Sequence, residues 1–413
     1  MTLRAGREFL SIPGPTVIPD AVLAAMQKPA LDIYSGPLVA LTASLLADMS
    51  KIFRTAGRSY IYAANGHGAW EAALTNVLSR GDKVLVLESG RFAIGWGEAA
   101  KMLGAEVEIF PGDFRRAVRA DAVEARLKQD AKGEIKAILV AQIDTASGVI
   151  NDIKAIGEAI RAAGHSALLM VDTVASLGCV PFEMDAWGVD VAMAGSQKGL
   201  MTPPGLSFTA VGARAREAHK KATMRTPYWD WTFRDGEVHY HKYCGTPPEH
   251  LLFGLRTALD LIFAEGLENV FTRHRLLAEA TRRAVGTWAE GCSIGFNISE
   301  AERALRHGDS GRYAQRRQRA ATRRLLPREV RRGARPRARQ ERKQGLPHRP
   351  YGPRQCTNDS GNAERGRDEP CGARRAARQR RRAGSDRVFG ESPAGLIPDP
   401  LRLGSSVATI LNQ

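Results

Sequence analysis

Lys198 is the side chain of this sequence best suited to covalent chemistry. It lies in the segment GSQKG (195–199), directly after a mostly apolar run at 189–193 that predicts a strand. A lysine attacks a carbonyl carbon only as the neutral amine, and burial or a neighbouring cation lowers its pKa enough to supply that form. The alternative is a solvated loop lysine without a catalytic role.

An aspartate follows a second apolar run, about 26 positions before the lysine. Residues 168–171 (LLMV) predict a buried strand, and Asp172 comes directly after it. A carboxylate at such a place can keep a cofactor ring nitrogen protonated, so that the ring accepts electrons from a substrate carbanion. The same aspartate is equally suited to capping the next helix.

A glycine-rich turn, Asn65-Gly66-His67-Gly68, precedes a helical stretch. Glycines at a helix N-terminus expose backbone N–H groups and the positive end of the helix dipole, which together favour phosphate. The pattern is also common in ordinary tight turns, where the histidine would be structural.

These three features need a scaffold, and the first 300 residues alternate between strand-like and helix-like segments. Apolar runs lie at 84–87, 137–141 and 168–171, and helical stretches at 69–78, 93–103, 121–129, 153–163 and, as one long stretch, about 248–290. This alternation predicts an α/β fold with a mostly parallel central sheet.

The net charge of +16 over 413 residues is unevenly distributed. Residues 301–413 hold 28 Lys and Arg against 11 Asp and Glu, whereas residues 1–300 have a net charge of −1. The charge therefore does not indicate a nucleic-acid-binding protein as a whole. The sequence shows no apolar run of membrane-spanning length, no signal-peptide core and no cysteine spacing typical of disulfides or metal sites. We expect a cytoplasmic enzyme without a metal.

Taken together, the motifs resemble the fold-type I pyridoxal-phosphate (PLP) enzymes of the class V aminotransferase family, and within it the serine–glyoxylate and then the alanine–glyoxylate type. The resemblance covers about residues 8–300. It rests on IPGPT (12–16), DIYSGPLVALT (32–42), ANGHGAWEAALTNVL (64–78), DTASGV (144–149), MVDTVASLG (170–178), GSQKGLMTPPG (195–205) and YCGTPPEHLLFGLR (243–256). It implies an N-terminal segment over 1–20, a large PLP-binding domain over 21–265, and a small C-terminal α+β domain that begins within 266–302.

The resemblance implies roles for the residues that match the family's motifs. Lys198 matches the Schiff-base lysine, which also moves a proton during the reaction. Asp172 matches the carboxylate that pairs with the pyridinium nitrogen. The other implied cofactor contacts are Gly66, His67, Gly68, Phe92, Thr145, Gln197, Tyr243 and Thr246. Gly14 and Tyr34 match positions that contact substrate or shape substrate choice.

Some of these implied contacts concern the phosphate. Gly66 and His67 match the phosphate loop, and Gln197 matches a further phosphate ligand. Tyr243 and Thr246 match residues that reach the phosphate of a neighbouring subunit, which implies a homodimer with shared active sites.

The resemblance also implies contacts to the cofactor ring. Phe92 matches the ring that stacks on the cofactor, although an ordinary core aromatic is the alternative. Thr145 matches a contact to the cofactor ring region. We interpret Trp70 and Trp96 as packing residues.

The resemblance implies transamination of small amino and 2-oxo acids, with L-serine as donor and glyoxylate as acceptor. Alanine–glyoxylate or aspartate–glyoxylate transamination is the nearest alternative. A cysteine desulfurase fits less well, because it needs a mobile catalytic cysteine and Cys179, Cys244 and Cys292 lie in structural contexts. A further alternative is an inactive PLP-binding remnant. A planar arginine should bind the substrate carboxylate, and the family carries it in the small domain.

Residues 303–413 depart from the family, since the arginine-bearing segment is absent and arginine-rich runs replace it. Residues 345–356, GLPHRPYGPRQC, can be spelled with codons that read one base later as AFRIAHMGHVNA, which resembles that segment. Residues 329–335 and 372–389 can be respelled in the same frame into further small-domain-like sequence. We therefore hypothesise a frameshifted reading. The alternative is a basic tail that binds nucleic acid non-specifically.

Overall fold

The computed structural model describes residue 10, residues 12–290 and residues 295–298. The arginine-rich segment 303–413 and its predicted frameshift lie outside these residues. Cys292 also lies outside them.

The described chain alternates between helices and strands, as the sequence predicts. The helices are α1 (Asp20–Ala25), α2 (Pro37–Phe53), α3 (Gly66–Val77), α4 (Arg91–Leu103), α5 (Ala120–Gln129), α6 (Ile153–Ala162), α7 (Ala213–Lys221), α8 (Trp231–Arg234), α9 (Glu249–Glu265) and α10 (Leu267–Ala289), with a 3-10 helix at His239–Tyr243. The strands are β1 (Arg58–Ala64), β2 (Lys83–Leu87), β3 (Glu106–Phe110), β4 (Ile135–Ala141), β5 (Ile143–Asp144), β6 (Val149–Ile150), β7 (Leu168–Asp172), β8 (Val191–Gly195) and β9 (Gly205–Val211).

Seven strands form the central sheet, in the order β1-β9-β8-β7-β4-β2-β3. The neighbours from β8 to β3 all pair in parallel, and β9 runs antiparallel to both β8 and β1. The predicted mostly parallel sheet is therefore confirmed. The three predicted apolar runs lie within β2, β4 and β7, as expected for strands buried on both faces.

Each face of the sheet carries its own apolar core, because alternate side chains of a strand point to opposite faces. On β2, Val84 and Val86 pack with residues of α3 and α4, and Leu85 and Leu87 pack with residues of α2, α5, α6 and α9. The sheet is therefore a middle layer between two helical layers. Among the described residues, no helix is both long and apolar enough to cross a bilayer.

The single helical stretch predicted over about 248–290 is wrong in one respect. Gly266 has φ 84°, ends α9 and begins α10. This backbone region suits glycine and breaks the ladder of helical hydrogen bonds. Two helices therefore stand where one was predicted.

Candidate active site

The candidate site lies at the carboxyl ends of neighbouring parallel strands. β7 ends at Asp172, and β8, its parallel neighbour, ends at Gly195, three residues before Lys198. Ligands of open α/β sheets bind at this edge, because the loops that leave the strands converge there. The sheet thus brings together the aspartate and the lysine that the sequence singled out.

Lys198 is half-buried, and its Nζ donates a hydrogen bond to the carbonyl oxygen of Pro13 at 2.8 Å. Burial lowers the pKa of the amine, while the nearby Asp172 and Cys179 oppose that effect. Gly14 lies so close that a Cβ built on it would stand 2.5 Å from Nζ. The lysine is therefore not a solvated loop residue, and the predicted substrate-contact residue Gly14 lies directly against its amine.

Asp172 is buried, and each of its carboxylate oxygens accepts one hydrogen bond. Oδ2 accepts from Trp70 Nε1 at 2.8 Å, and Oδ1 accepts from the backbone N–H of Val174 at 2.7 Å. Burial raises the pKa of the carboxyl to about 6, against the lowering effect of these two donors. The alternative interpretation, an aspartate that caps the next helix, is wrong, because Asp172 accepts from the first residues of a turn and no helix lies in the described chain between β7 and β8. Its burial and perturbed pKa are typical of a functional acid.

The predicted phosphate turn forms the N-terminus of α3. The Asn65 side chain accepts hydrogen bonds from the backbone N–H groups of His67 at 3.1 Å and Gly68 at 3.3 Å. Backbone N–H groups at a helix N-terminus, with the positive end of the helix dipole, are suited to holding a phosphate. A Cβ on Gly68 would lie 2.7 Å from the Cβ of Ala64, so packing alone already requires that glycine. A Cβ on Gly66 would lie 2.9 Å from Val174, beside the turn that follows β7.

Gln197 carries a buried side-chain oxygen, Oε1, that has no hydrogen-bond partner among the described residues. The Cβ of any side chain at Gly195 would lie 2.8 Å from this oxygen, so the amide is tucked closely against the strand end. A half-turn of the amide would present its NH₂ group at the same place, as a phosphate ligand requires. An unsatisfied buried polar atom of this kind fits a site built for a polar group.

Phe92 lies in the first turn of α4 and is 36% exposed, which is too much for an ordinary core aromatic. Its backbone N–H and that of Ala93 donate to Asp144 Oδ2 at 2.9 and 3.0 Å. Asp144 is fully buried, and burial raises its pKa. Thr145 follows it, half-buried, in the turn between β5 and β6. Asp144 thus fixes both the helix that carries Phe92 and the turn that carries Thr145.

The sequence analysis predicts no role for Asp144 itself, although this aspartate begins the motif DTASGV. A usable signal was present, because an aspartate after a buried apolar run is often a ligand of backbone N–H groups. Trp70 is predicted from the sequence as a packing residue, and its hydrogen bond to Asp172 is an addition from the structure.

Within the described chain, the three remaining predicted residues, Tyr243, Thr246 and Tyr34, do not lie at this site. The Tyr243 hydroxyl is buried and shares a hydrogen bond with Thr42 Oγ1 at 2.8 Å. Thr246 is exposed, and Tyr34 is 70% exposed. The reach of Tyr243 and Thr246 into a neighbouring subunit stays a prediction, as does the substrate contact of Tyr34.

A small pocket beside Lys198 is lined in part by Cys179, Arg273 and His274. Arg273 pairs with both carboxylate oxygens of Glu265, at 2.7 and 2.9 Å, so its guanidinium is already engaged. Burial raises the pKa of the Cys179 thiol to about 12, which keeps it protonated at neutral pH and unsuited to nucleophilic chemistry. Among the described residues, no group of three His, Cys, Asp or Glu side chains could hold a metal ion.

Comparisons with known proteins agree with this geometry. The family model for aminotransferase class V matches residues 9–304. The serine–glyoxylate aminotransferase of Methylorubrum extorquens is 43% identical over 70% of this chain and 73% of its own length. The protein of the same description from Arabidopsis thaliana is 42% identical over 68% of this chain and 71% of its own length. The solved structure of an alanine–glyoxylate aminotransferase from Nostoc sp. matches with a TM-score of 0.64 and 28% identity, covering 70% of this chain and 76% of that one.

The family match ends at residue 304, which is where the composition changes to arginine-rich sequence. Up to that point the fold agrees with the resemblance found in the sequence, whereas the cofactor roles of Lys198 and Asp172 stay predictions. The chain belongs to the class V aminotransferase family, and it is an aminotransferase whose cofactor is PLP.

Proposed function

We propose that this aminotransferase transfers the amino group of L-serine to glyoxylate and so forms hydroxypyruvate and glycine. The observation that carries the proposal is the 42–43% identity to two proteins named for this reaction, one bacterial and one from a plant. The alignments to these two proteins cover 293 and 289 residues, and the family model, which matches residues 9–304, includes the lysine, the buried aspartate and the glycine-rich turn.

In this reaction Lys198 is the residue that takes up and releases the proton of the donor amino acid's α-carbon. Its Nζ lies at the carboxyl edge of the sheet, and burial lowers its pKa, so the neutral amine is available for attack on a carbonyl carbon. The same nitrogen can then take the proton from the α-carbon of the donor amino acid and hold it for the next transfer. Gly14 leaves the space that this movement needs.

Asp172 would pair with the protonated ring nitrogen of PLP, and Phe92 would stack on the ring. PLP, when bound, supplies the electron sink that stabilises the substrate carbanion. The chain would hold its phosphate with the N-terminus of α3 and the Gln197 amide, where a buried polar atom lacks a partner among the described residues. Gly66 and His67 belong to the same turn.

The substrate carboxylate needs an arginine, and the described pocket beside Lys198 is lined by one. Arg273 lines the pocket beside Lys198 but is paired with Glu265. The resemblance places the required arginine in the segment 303–413, in the frame one base later. Full activity therefore depends on that segment being read in the family's frame.

Alanine–glyoxylate transamination is the second candidate, favoured by the match to the Nostoc sp. structure. The two are separated by the relative kcat/KM of L-serine, L-alanine and L-aspartate, each with glyoxylate, for the full chain saturated with PLP. A serine value at least about tenfold above the others, a difference of about 1.4 kcal/mol in transition-state binding, supports the proposal. A higher value for alanine or aspartate contradicts the substrate assignment. PLP binding without turnover of any donor would indicate the inactive remnant.

We further propose a cytoplasmic homodimer in which Tyr243 and Thr246 of one subunit reach the phosphate site of the other. Sedimentation of the purified chain tests the dimer. A Thr246→Ala variant tests the shared site, because its exposed side chain should matter for PLP affinity only if a neighbouring subunit uses it.

A further inference from the structure

Trp70 links three parts of the site that lie far apart in the sequence. It belongs to α3, is 3% exposed, and donates from Nε1 to Asp172 Oδ2 at 2.8 Å. Its ring lies 4.5 Å from the ring of His67 and 6.4 Å from that of Phe92, measured between centroids. One side chain therefore contacts the phosphate turn, the stacking ring and the buried carboxylate.

We propose that Trp70 is a positioning residue, which keeps the Asp172 carboxylate oriented and ionised for the protonated ring nitrogen of PLP. The proposal rests on the PLP-dependent transamination described above. It goes beyond that function because it assigns the orientation and charge of the carboxylate to a tryptophan that does not itself react.

The first step of the argument is geometric. The Asp172 carboxylate has two donors, Trp70 Nε1 on one oxygen and the Val174 N–H on the other, and they come from different elements of the fold. Two donors fix the plane of the carboxylate, whereas one alone would leave it free to rotate. Each oxygen keeps a second lone pair, so the ring nitrogen can be accepted as a third donor.

The second step concerns the charge. Burial is the largest effect on the Asp172 pKa and raises it to about 6; the Val174 and Trp70 donors lower it, Asp144 raises it, and Lys198 lowers it. A hydrogen bond to the charged form favours that form. Loss of the indole N–H should therefore raise the pKa further and increase the fraction of protonated, uncharged carboxyl near neutral pH. An uncharged carboxyl would no longer stabilise the positive charge of a protonated ring nitrogen.

The chain offers a matched control in Trp96. Its ring stacks on that of Trp70 at 6.1 Å, it is fully buried, and its Nε1 has no hydrogen-bond partner among the described residues. Trp70→Phe and Trp96→Phe remove the same atoms from one aromatic cluster. The hydrogen bond to Asp172 is lost only in the first variant.

The first test uses the full chain without PLP and needs no activity. A carboxyl whose pKa rises on folding makes the folded state bind more protons, so stability falls as pH rises between the unfolded and the folded pKa. In the unsubstituted chain this loss of stability ends near pH 6, the pKa of Asp172 in the folded state. In Trp70→Phe the pKa is higher, so stability should continue to fall above pH 6. Relative to the unsubstituted chain, its folding equilibrium constant should fall by about a further tenfold between pH 5 and pH 8, measured by urea titration, as one unit of pKa implies.

Trp96→Phe should lose stability by an amount that does not change with pH. In an Asp172→Asn background, Trp70→Phe should also lose its pH dependence. If both tryptophan variants lose the same amount at every pH, Trp70 acts by packing alone and the proposal is wrong.

The second test measures PLP itself, by titration of each full-length variant with the cofactor. Trp70→Phe should bind PLP about tenfold more weakly than Trp96→Phe, with the gap widening below pH 7. Equal affinities would overturn the positioning role while leaving the aminotransferase assignment intact. An unsubstituted chain that binds no PLP would contradict the function on which the proposal rests, and the cofactor-free titration would then report separately on the Trp70–Asp172 bond.

Discussion

The amine of Lys198 donates a hydrogen bond to the carbonyl oxygen of Pro13, a residue 185 positions earlier in the chain. This contact brings the N-terminal segment over the end of β8 and places Gly14 against the reactive nitrogen. The position and the titration of the amine therefore depend on residues far from it in the sequence, and the first two predictions follow from that dependence.

Gly14→Ala should damage cofactor binding more than it damages folding. The new methyl group would lie 2.5 Å from Lys198 Nζ, and the flexible end of the lysine would move away to relieve the contact. Overpacking of this kind costs about 1–3 kcal/mol, so PLP should bind at least about tenfold more weakly.

Gly36→Ala is the matched control. Gly36 also has a positive φ, +75° against +144° at Gly14, but nothing lies within 4 Å of its added Cβ. The control therefore also places a Cβ on a backbone with positive φ, at a different angle, and lacks the clash. Equal loss of PLP affinity in both variants, measured by cofactor titration, would mean that the clash with the lysine is not the cause.

The rate at which the PLP-free chain captures PLP should rise with pH and level off at a lower pH than for an exposed lysine. Burial lowers the pKa of Lys198, and Asp172 partly opposes this by stabilising the charged amine. Asp172→Asn removes that opposition, so the midpoint of the profile should shift to still lower pH. Stopped-flow absorbance of PLP measures it, and a shift to higher pH would contradict the assigned electrostatics.

Asp144→Ala should destabilise the large domain by about 1–3 kcal/mol, because a buried acceptor of backbone N–H groups is lost. The groups left without it are the N–H of Phe92, Ala93 and Ala146. Asp144→Asn keeps one acceptor oxygen and should lose less. Urea titration of both variants tests this order.

The pH dependence gives an independent check on Asp144. Burial raises its pKa, so the stability that the carboxyl contributes falls as pH rises above its unfolded pKa. Asp144→Asn has no such titration. The difference between its free energy of unfolding and that of the unsubstituted chain should therefore shift in favour of the variant as pH rises. A gap that stays constant with pH would contradict the direction of the pKa shift.

Resequencing the gene across codons 295–413 should reveal one base missing or extra near codon 303. The family match ends at residue 304, and the restored frame would supply the arginine whose codon now straddles Pro347 and His348. The restored protein should turn over its donor amino acid. If the DNA agrees with the present sequence, the basic tail should instead be tested for DNA binding that weakens steeply with salt.

Four of the five parallel strands were predictable because burial on both faces produces unbroken apolar runs, as in β4 and β7. The fifth, β3, was missed because it lies at the edge of the sheet and its residues EVEIF are only partly buried. β1 and β9 were missed because RSYIYAA and GLSFTAV mix aromatic, polar and small residues. The break at Gly266 was missed because a single glycine within a helical pattern is often tolerated.

Single residues of the site could be predicted from local motifs. Hydrogen bonds between residues that are distant in the sequence could not. Lys198 and Asp172 each follow a recognisable strand, and their motifs match the family. The bond between Trp70 and Asp172 spans 102 positions, and that between Asp144 and Phe92 spans 52. Such pairs are set by tertiary packing, on which local patterns carry no information.

The groups at the carboxyl edge of the sheet have a practical consequence for cloning. Leaving aside the pair assigned to a neighbouring subunit, every predicted cofactor contact lies between Gly66 and Lys198, upstream of the codons in which the reading frame is in question. A yellow protein would therefore be expected from either version of the gene. Colour would therefore not identify a clone whose reading frame has been restored. Turnover of an amino acid would distinguish that clone from the gene that encodes the present sequence.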